Sequence, residues 1–138
     1  MLMTREMDYA LRILRALYQG GQLSAGTIAQ REHMPKAVTL KILKQLHAAG
    51  LVDSRRGPSG GYLILKPCSQ LNLWEVFQAL GENVRINRCQ QPGYQCENLP
   101  VEDCNLNQEL CRIQQMLDRE LQRTSLSVLF QEKQETGV

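Results

Sequence analysis

Five cysteines stand out for chemistry: Cys68, Cys89, Cys96, Cys104 and Cys111. Three of them follow one another as Cys89-x6-Cys96-x7-Cys104 in a stretch with no helical or strand period. Thiolates are ligands for soft metals and iron–sulfur clusters. A loop can wrap three sulfurs around one such group where rigid elements of that spacing could not. The spacing is wider than the close Cys pairs of most zinc sites, so the residues alone leave three readings open: a metal or cluster site, reactive thiols, or structural cysteines. Arg5, Glu6 and Asp8 interrupt the N-terminus where a secretory leader would be basic and then apolar. The chain is therefore expected to be cytoplasmic, where structural disulfides are disfavoured. Cys68 follows Lys66-Pro67 at a joint and reads as structural. Cys111 lies about two helical turns beyond Cys104, roughly 10 Å along an axis, and reads as a small buried residue on a helix.

A second set of residues carries positive charge. Residues 1–66 hold ten Lys or Arg against four Asp or Glu, whereas residues 67–138 hold six against ten. A basic half joined to an acidic half suits a chain of which one half meets a polyanion. Lys36 and Ala37 fall in the first turn of a helix, with Thr39, Leu40 and Lys41 in the next and Lys44 beyond. Arg55, Arg56 and Ser59 flank or occupy a glycine-rich turn, RRGPSGG. Together these are the expected DNA contacts. The early turns of the helix would meet base edges in the major groove, the lysines phosphate, and Arg56 the minor groove. The wing glycines would let the backbone approach DNA closely. A solvated helix face is the alternative for any single lysine.

The elements that must position these groups follow from period and punctuation. Residues 4–19 repeat apolar positions at Met7, Ala10, Leu11, Leu14, Leu17 and Tyr18, with Thr4 as N-cap and Gly20-Gly21 as the stop. Ser24 caps a short second helix that buries Ile28 and Ala29. Pro35 suits the first position of a third helix, which buries Val38, Ile42, Leu43 and Leu46 and ends at Gly50. Leu51-Val52 and residues 62–65 read as the strands of a hairpin. A fourth helix spans 73–81 with Trp74, Phe77 and Leu80 inward, and residues 82–106 form the cysteine loop. A long helix from about Asn107 to Arg123 carries Leu110, Ile113, Leu117 and Leu121, a stripe suited to a second subunit. Residues 125–132 form one more short helix, and the polar tail after Glu132 is expected to fray. The fold class is thus mainly α with a small β-hairpin wing: a winged helix-turn-helix over residues 1–66, then a sensor and dimerisation region over 67–138. No stretch approaches the ~20 apolar residues of a membrane span, and no Ser/His/Asp order, P-loop or carboxylate pair suggests an enzyme.

TREMDYALRIL, IAQREHMP, ILKQLHAAGLV and above all RGPSGGY after GLV, followed by a cysteine loop after LWEVFQALG, resemble the Rrf2 family of bacterial transcription regulators over about residues 3–130. The resemblance implies a homodimer with two winged reading heads, a long C-terminal dimerisation helix and a pseudo-palindromic double-stranded DNA operator. Several members of that family hold an iron–sulfur cluster and govern cluster assembly, iron uptake, nitric-oxide response or cysteine metabolism. Carried over, the cluster ligands are Cys89, Cys96 and Cys104 plus one non-cysteine group. In the [2Fe–2S] branch that group is a histidine three residues after the last loop cysteine; here Asn107 stands there, a poor iron ligand. In the nitric-oxide-sensing branch it is an aspartate of the first helix given by the other subunit, matched here by Asp8, so [4Fe–4S] is favoured over [2Fe–2S]. Asp8 also reads as a carboxylate that stabilises its helix N-terminus. The expected function is a cluster-controlled, homodimeric DNA-binding regulator responsive to redox state, nitric oxide or iron. The alternatives are a cluster-free relative sensing thiol oxidation or a small effector, and a zinc-bound winged-helix module that docks on protein.

Overall fold

The computed structural model describes residues 3–82 and 84–131. The tail expected to fray lies outside the described residues. Helix α1 (Arg5–Gly20) starts where the Thr4 side chain accepts the Met7 N–H, and it stops at Gly21, whose φ of 78° favours a residue without Cβ. Helix α2 (Ala25–Arg31) is capped by Ser24. Helix α3 (Lys36–Ala48) follows Pro35, which sits one place earlier than expected, at the N-cap. Strands β1 (Val52–Arg55) and β2 (Gly61–Ile64) pair antiparallel, with Val52 opposite Ile64 and Arg55 opposite Gly61. Leu23 adds a bridge to Tyr62, so the wing is tied to the start of α2.

Helix α4 (Leu73–Ala79) opens with a capping box between Asn72 and Glu75. The cysteine loop follows, with short 3-10 turns at Arg88–Gln90 and Val101–Asp103. Helix α5 (Asn105–Gln122) and the short α6 (Leu126–Phe130) complete the described chain. The elements share one core, in which Met7, Ile13, Leu14, Leu17, Ile28, Ile42, Leu43 and Leu46 of the reading head are contiguous with Cys68, Leu71, Phe77 and Leu126. The chain divides in two by composition, but its hydrophobic core does not.

Three burial expectations change. Tyr18 is 40% exposed at the edge of α1, while Ile13 and Ala16 are buried. Helix α1 is covered by α2, α3, α4, α6 and β2, so its buried arc is wider than one stripe. Val38 and Trp74 are only half-buried, and Val76 takes a core place on α4. On α5 the apolar stripe is divided: Leu117 and Leu121 pack against the core, whereas Leu106, Ile113 and Met116 are exposed.

Candidate functional site: a cysteine cavity beside a winged head

Cys89, Cys96 and Cys104 line one cavity of about 370 Å³, walled also by Asn87, Tyr94, Leu99, Val101, Leu106 and Asn107. Cys89 stands in the first 3-10 turn of the loop, Cys96 in its middle, and Cys104 is the N-cap of α5. A sulfur at that N-cap is unusual in residue type but ordinary in geometry: it accepts the Asn107 N–H at 3.4 Å, as a serine oxygen would. The backbone N–H groups of Leu99 and Asn98 point at Cys96 and hold its thiol below the usual cysteine range. The Asn107 side chain, 5% exposed, donates Nδ2–H to Cys89 Sγ at 3.2 Å, and its Oδ1 accepts from the Cys111 thiol at 3.6 Å.

Cys89 and Cys104 each accept an N–H of Asn107, and backbone N–H groups near Cys96 favour its thiolate. Such donors favour electron-rich sulfur, whether thiolate or metal-bound, over the neutral thiol. The donor set fits an iron–sulfur cluster in kind: three thiolate sources, N–H groups on the sulfurs, and apolar walls from Leu99, Val101 and Leu106. Among the described residues, no three His, Cys, Asp or Glu side chains close around a point as ligands of one metal ion would.

The other cysteines stand apart from this cavity. Cys68 is buried in a 3-10 turn at the joint between wing and α4, and burial pushes its thiol up. Cys111 lies on α5 two turns past Cys104, as expected, but half-buried against Asn107 rather than deep in an apolar face. Asp8 is on α1, paired with Arg12 at 3.1 Å, and does not line the cysteine cavity within one chain.

Asn107 and Gln114 are site residues that the apolar period does not reveal. Both are buried on one face of α5, two turns apart. Gln114 donates to the Val84 carbonyl at 2.6 Å and to Asp118 at 2.9 Å, and accepts the Ile86 N–H at 2.9 Å. It pins the beginning of the cysteine loop to α5. Thr4 Oγ1 donates to Glu82 at 2.5 Å, tying the start of α1 to a residue three places past the end of α4. The one available sequence signal is the repeat Asn107, Cys111, Gln114, Asp118, a polar face at helical spacing.

On the reading head, Lys36, Ala37, Lys41 and Lys44 lie on the exposed side of α3, and Arg55, Arg56 and Ser59 are exposed at the wing. Lys41 is paired with Glu6 at 2.8 Å and Arg55 with Asp53 at 3.7 Å. Both pairs are largely exposed and therefore weak, so a phosphate could replace either carboxylate. Thr39 is a correction: it is fully buried, and its hydroxyl donates to the Pro35 carbonyl at 2.9 Å. It holds the first turn of α3 and offers nothing to a groove. Leu40 is half-buried and packs against the core. Two wing glycines also have internal reasons. A Cβ on Gly60 would strike the Arg55 carbonyl, and one on Gly61 would lie 2.7 Å from the Leu23 carbonyl. The Gln22 side chain further fixes the turn by donating to the Ser59 carbonyl at 2.6 Å.

Comparison with known proteins places this arrangement. The Rrf2 family model, described as an iron-dependent transcriptional regulator, matches residues 3–132. The chain is similar to the HTH-type transcriptional regulator IscR of Escherichia coli, 35% identical over 75 residues, which are 54% of this chain and 46% of IscR. It spans about half the length of the curated relatives it matches. In fold it is similar to CymR (YrzC), the global cysteine regulator of B. subtilis, with a TM-score of 0.72 and 23% identity over 92% of this chain and 94% of that one. It is similar also to T. potens IscR, with a TM-score of 0.69 and 18% identity over 91% and 83% of the two chains. The family pattern runs through the wing, the cysteine loop and α5 alike, and the chain belongs to the Rrf2 family of transcriptional regulators.

Proposed function

We propose that the chain is a homodimeric, DNA-binding transcription regulator whose grip on a pseudo-palindromic operator is set by an iron–sulfur cluster in the cysteine cavity. The observation that carries this reading is the gathering of Cys89, Cys96 and Cys104 on one cavity, with N–H groups of Asn107 directed at the sulfurs of Cys89 and Cys104. These residues would hold the cluster, and Asp8 of the partner chain is the proposed fourth ligand, which favours [4Fe–4S]. Bound there, the cluster would supply a one-electron centre sensitive to redox state, nitric oxide or iron supply.

The chain's own residues account for the rest. Lys36, Lys41, Lys44, Arg55 and Arg56 present cations to phosphate, Ala37 and the first turn of α3 face base edges, and the Ser59 turn carries the wing tip. Cys104 is at once a wall of the cavity and the N-cap of α5, so a shift of its sulfur is delivered to the first turn of that helix. Gln114 holds the loop to the same helix two turns on. Helix α5 is the proposed dimer element, so its placement sets the distance between the two reading heads. DNA affinity must then differ between the two states of the cavity.

The test is to purify the full chain anaerobically, count iron and acid-labile sulfide, and measure operator binding with and without the bound group. Equal iron and sulfide, about four of each per chain, with DNA affinity that changes on removal, is the expected result. Asp8→Ala should then lose iron. Zinc in place of iron, with binding to DNA absent or independent of salt, would favour the protein-docking module. A protein that stays iron-free after anaerobic reconstitution, yet binds DNA, would place sensing on thiols or a small effector instead.

A further inference from the structure

The side-chain amide of Asn107 is buried, and its hydrogen-bond partners are all sulfur. Nδ2 donates to Cys89, Oδ1 accepts from Cys111, and the backbone N–H of the same residue donates to Cys104. Buried polar groups are almost always satisfied, ordinarily by oxygen or nitrogen. Neutral thiol sulfur is a weak acceptor, so a carboxamide placed for structure alone would gain little here. Against a metal-bound thiolate the same N–H makes a charge-assisted bond and is worth far more. One residue thus reaches two of the three loop sulfurs, one by backbone and one by side chain.

We propose that Asn107 is a positioning residue for the cysteine-bound cluster: it is no ligand, but its two N–H groups bridge Cys89 and Cys104, fix their separation, and raise the reduction potential of what they hold. The inference rests on the cluster reading above. Its physical basis is simple. Adding one electron makes the sulfurs more negative, and an N–H donor stabilises that more negative form. Removing the donor from Cys89 should therefore make reduction harder. The backbone donor to Cys104 is untouched by any side-chain change, so the effect of a variant isolates the Cys89 bond.

The test uses the anaerobically purified full chain, with the potential for one-electron reduction by dithionite read from the visible spectrum. Asn107→Leu keeps close to the bulk of the side chain and removes its N–H donors without adding charge or a metal ligand; Asn107→Ala removes the side chain; Asn107→Gln retains a donor of greater reach. Loss of one charge-assisted hydrogen bond corresponds to roughly a tenfold change in the reduced-to-oxidised ratio, which is about 59 mV for one electron. Asn107→Leu and Asn107→Ala should shift the potential downward by about that amount, and release iron faster to a chelator. Asn107→Gln should recover part of the shift. Iron content, circular dichroism and sedimentation identify any variant that has simply misfolded, and the uncharged Leu variant, close in bulk to asparagine, guards against that. Loaded variants whose potentials match the unaltered protein would overturn the inference and leave the cluster reading standing. An unaltered protein that never takes up iron and sulfide would remove that reading, and this inference with it.

Discussion

Replacing Gln114 by alanine tests whether this residue anchors the cysteine loop to α5. The side chain makes three hydrogen bonds, and it is 3% exposed. Its removal strips the Val84 carbonyl, on a residue only 8% exposed, of its Gln114 donor, and the Ile86 N–H of its acceptor. An unsatisfied buried group costs about 1–3 kcal/mol. Ile86 is itself 41% exposed, so water can reach its N–H and the Val84 carbonyl dominates the loss. The net expectation is about 2 kcal/mol, close to a thirtyfold change in the local opening equilibrium. At a urea dependence of about 2 kcal/mol per molar, the unfolding midpoint should fall by about 1 M. The assay is urea unfolding followed by circular dichroism at one fixed protein concentration, since the stability of the proposed dimer would depend on concentration. Hydrogen exchange at the Ile86 amide should accelerate in parallel. Gln114→Glu should be at least as destabilising at neutral pH, because a carboxylate would face the Val84 carbonyl and Asp118. The folded state would raise the pKa of that carboxyl, so the penalty belongs to the ionised form and is relieved as pH falls through the folded value. An alanine variant with an unchanged midpoint and unchanged exchange at Ile86 would refute the anchor.

Other variants bear on the reading head, the dimer face and the joint. Lys44→Ala and Arg56→Ala should weaken DNA binding on any sequence and reduce the salt slope by about 1 for each phosphate no longer neutralised, read by titration at several salt concentrations; an unchanged slope would take the residue off the DNA face. Ile113→Asp with Met116→Asp should shift the proposed dimer to monomer in sedimentation, because both side chains are exposed on the flank of α5; a dimer of unaltered strength would place the interface elsewhere. Cys68 should be the slowest of the five cysteines to alkylate in iron-free protein, because burial disfavours its thiolate. Rapid labelling of Cys68, read by mass spectrometry, would show that the joint opens readily.

Helix ends are legible in the sequence because their signals are local. Thr4, Ser24, Gly21 and Gly50 each mark a boundary through a single cap or a positive φ, whatever packs around them. The three thiols of the cysteine cavity are legible because they share one aperiodic loop, whereas Leu106 and Asn107, which wall it from α5, are not. Thr39 misleads through its residue type alone, since its place three, four and seven residues before Ile42, Leu43 and Leu46 lies on the buried stripe. Its hydroxyl is satisfied by the carbonyl four residues back, which frees it to be buried at no polar cost.

Helix α5 shows where periodicity misleads and why. An amphipathic pattern is normally read with the apolar stripe inward and the polar side in water. In one chain of this protein the two most buried residues of α5 are Asn107 and Gln114, while Leu106 is 66% exposed and Met116 52% exposed. The pattern is not violated; it is answered by two different neighbours. The loop that carries the cysteines folds back over the polar face, where carbonyls, N–H groups and sulfurs need partners that a leucine could not supply. The apolar flank beside it is left for the proposed second subunit. A helix with a hydrogen-bonded face against a sensor loop and an apolar flank against a partner is suited to carry a change from one to the other. Asn107 and Gln114 are its points of attachment to the loop.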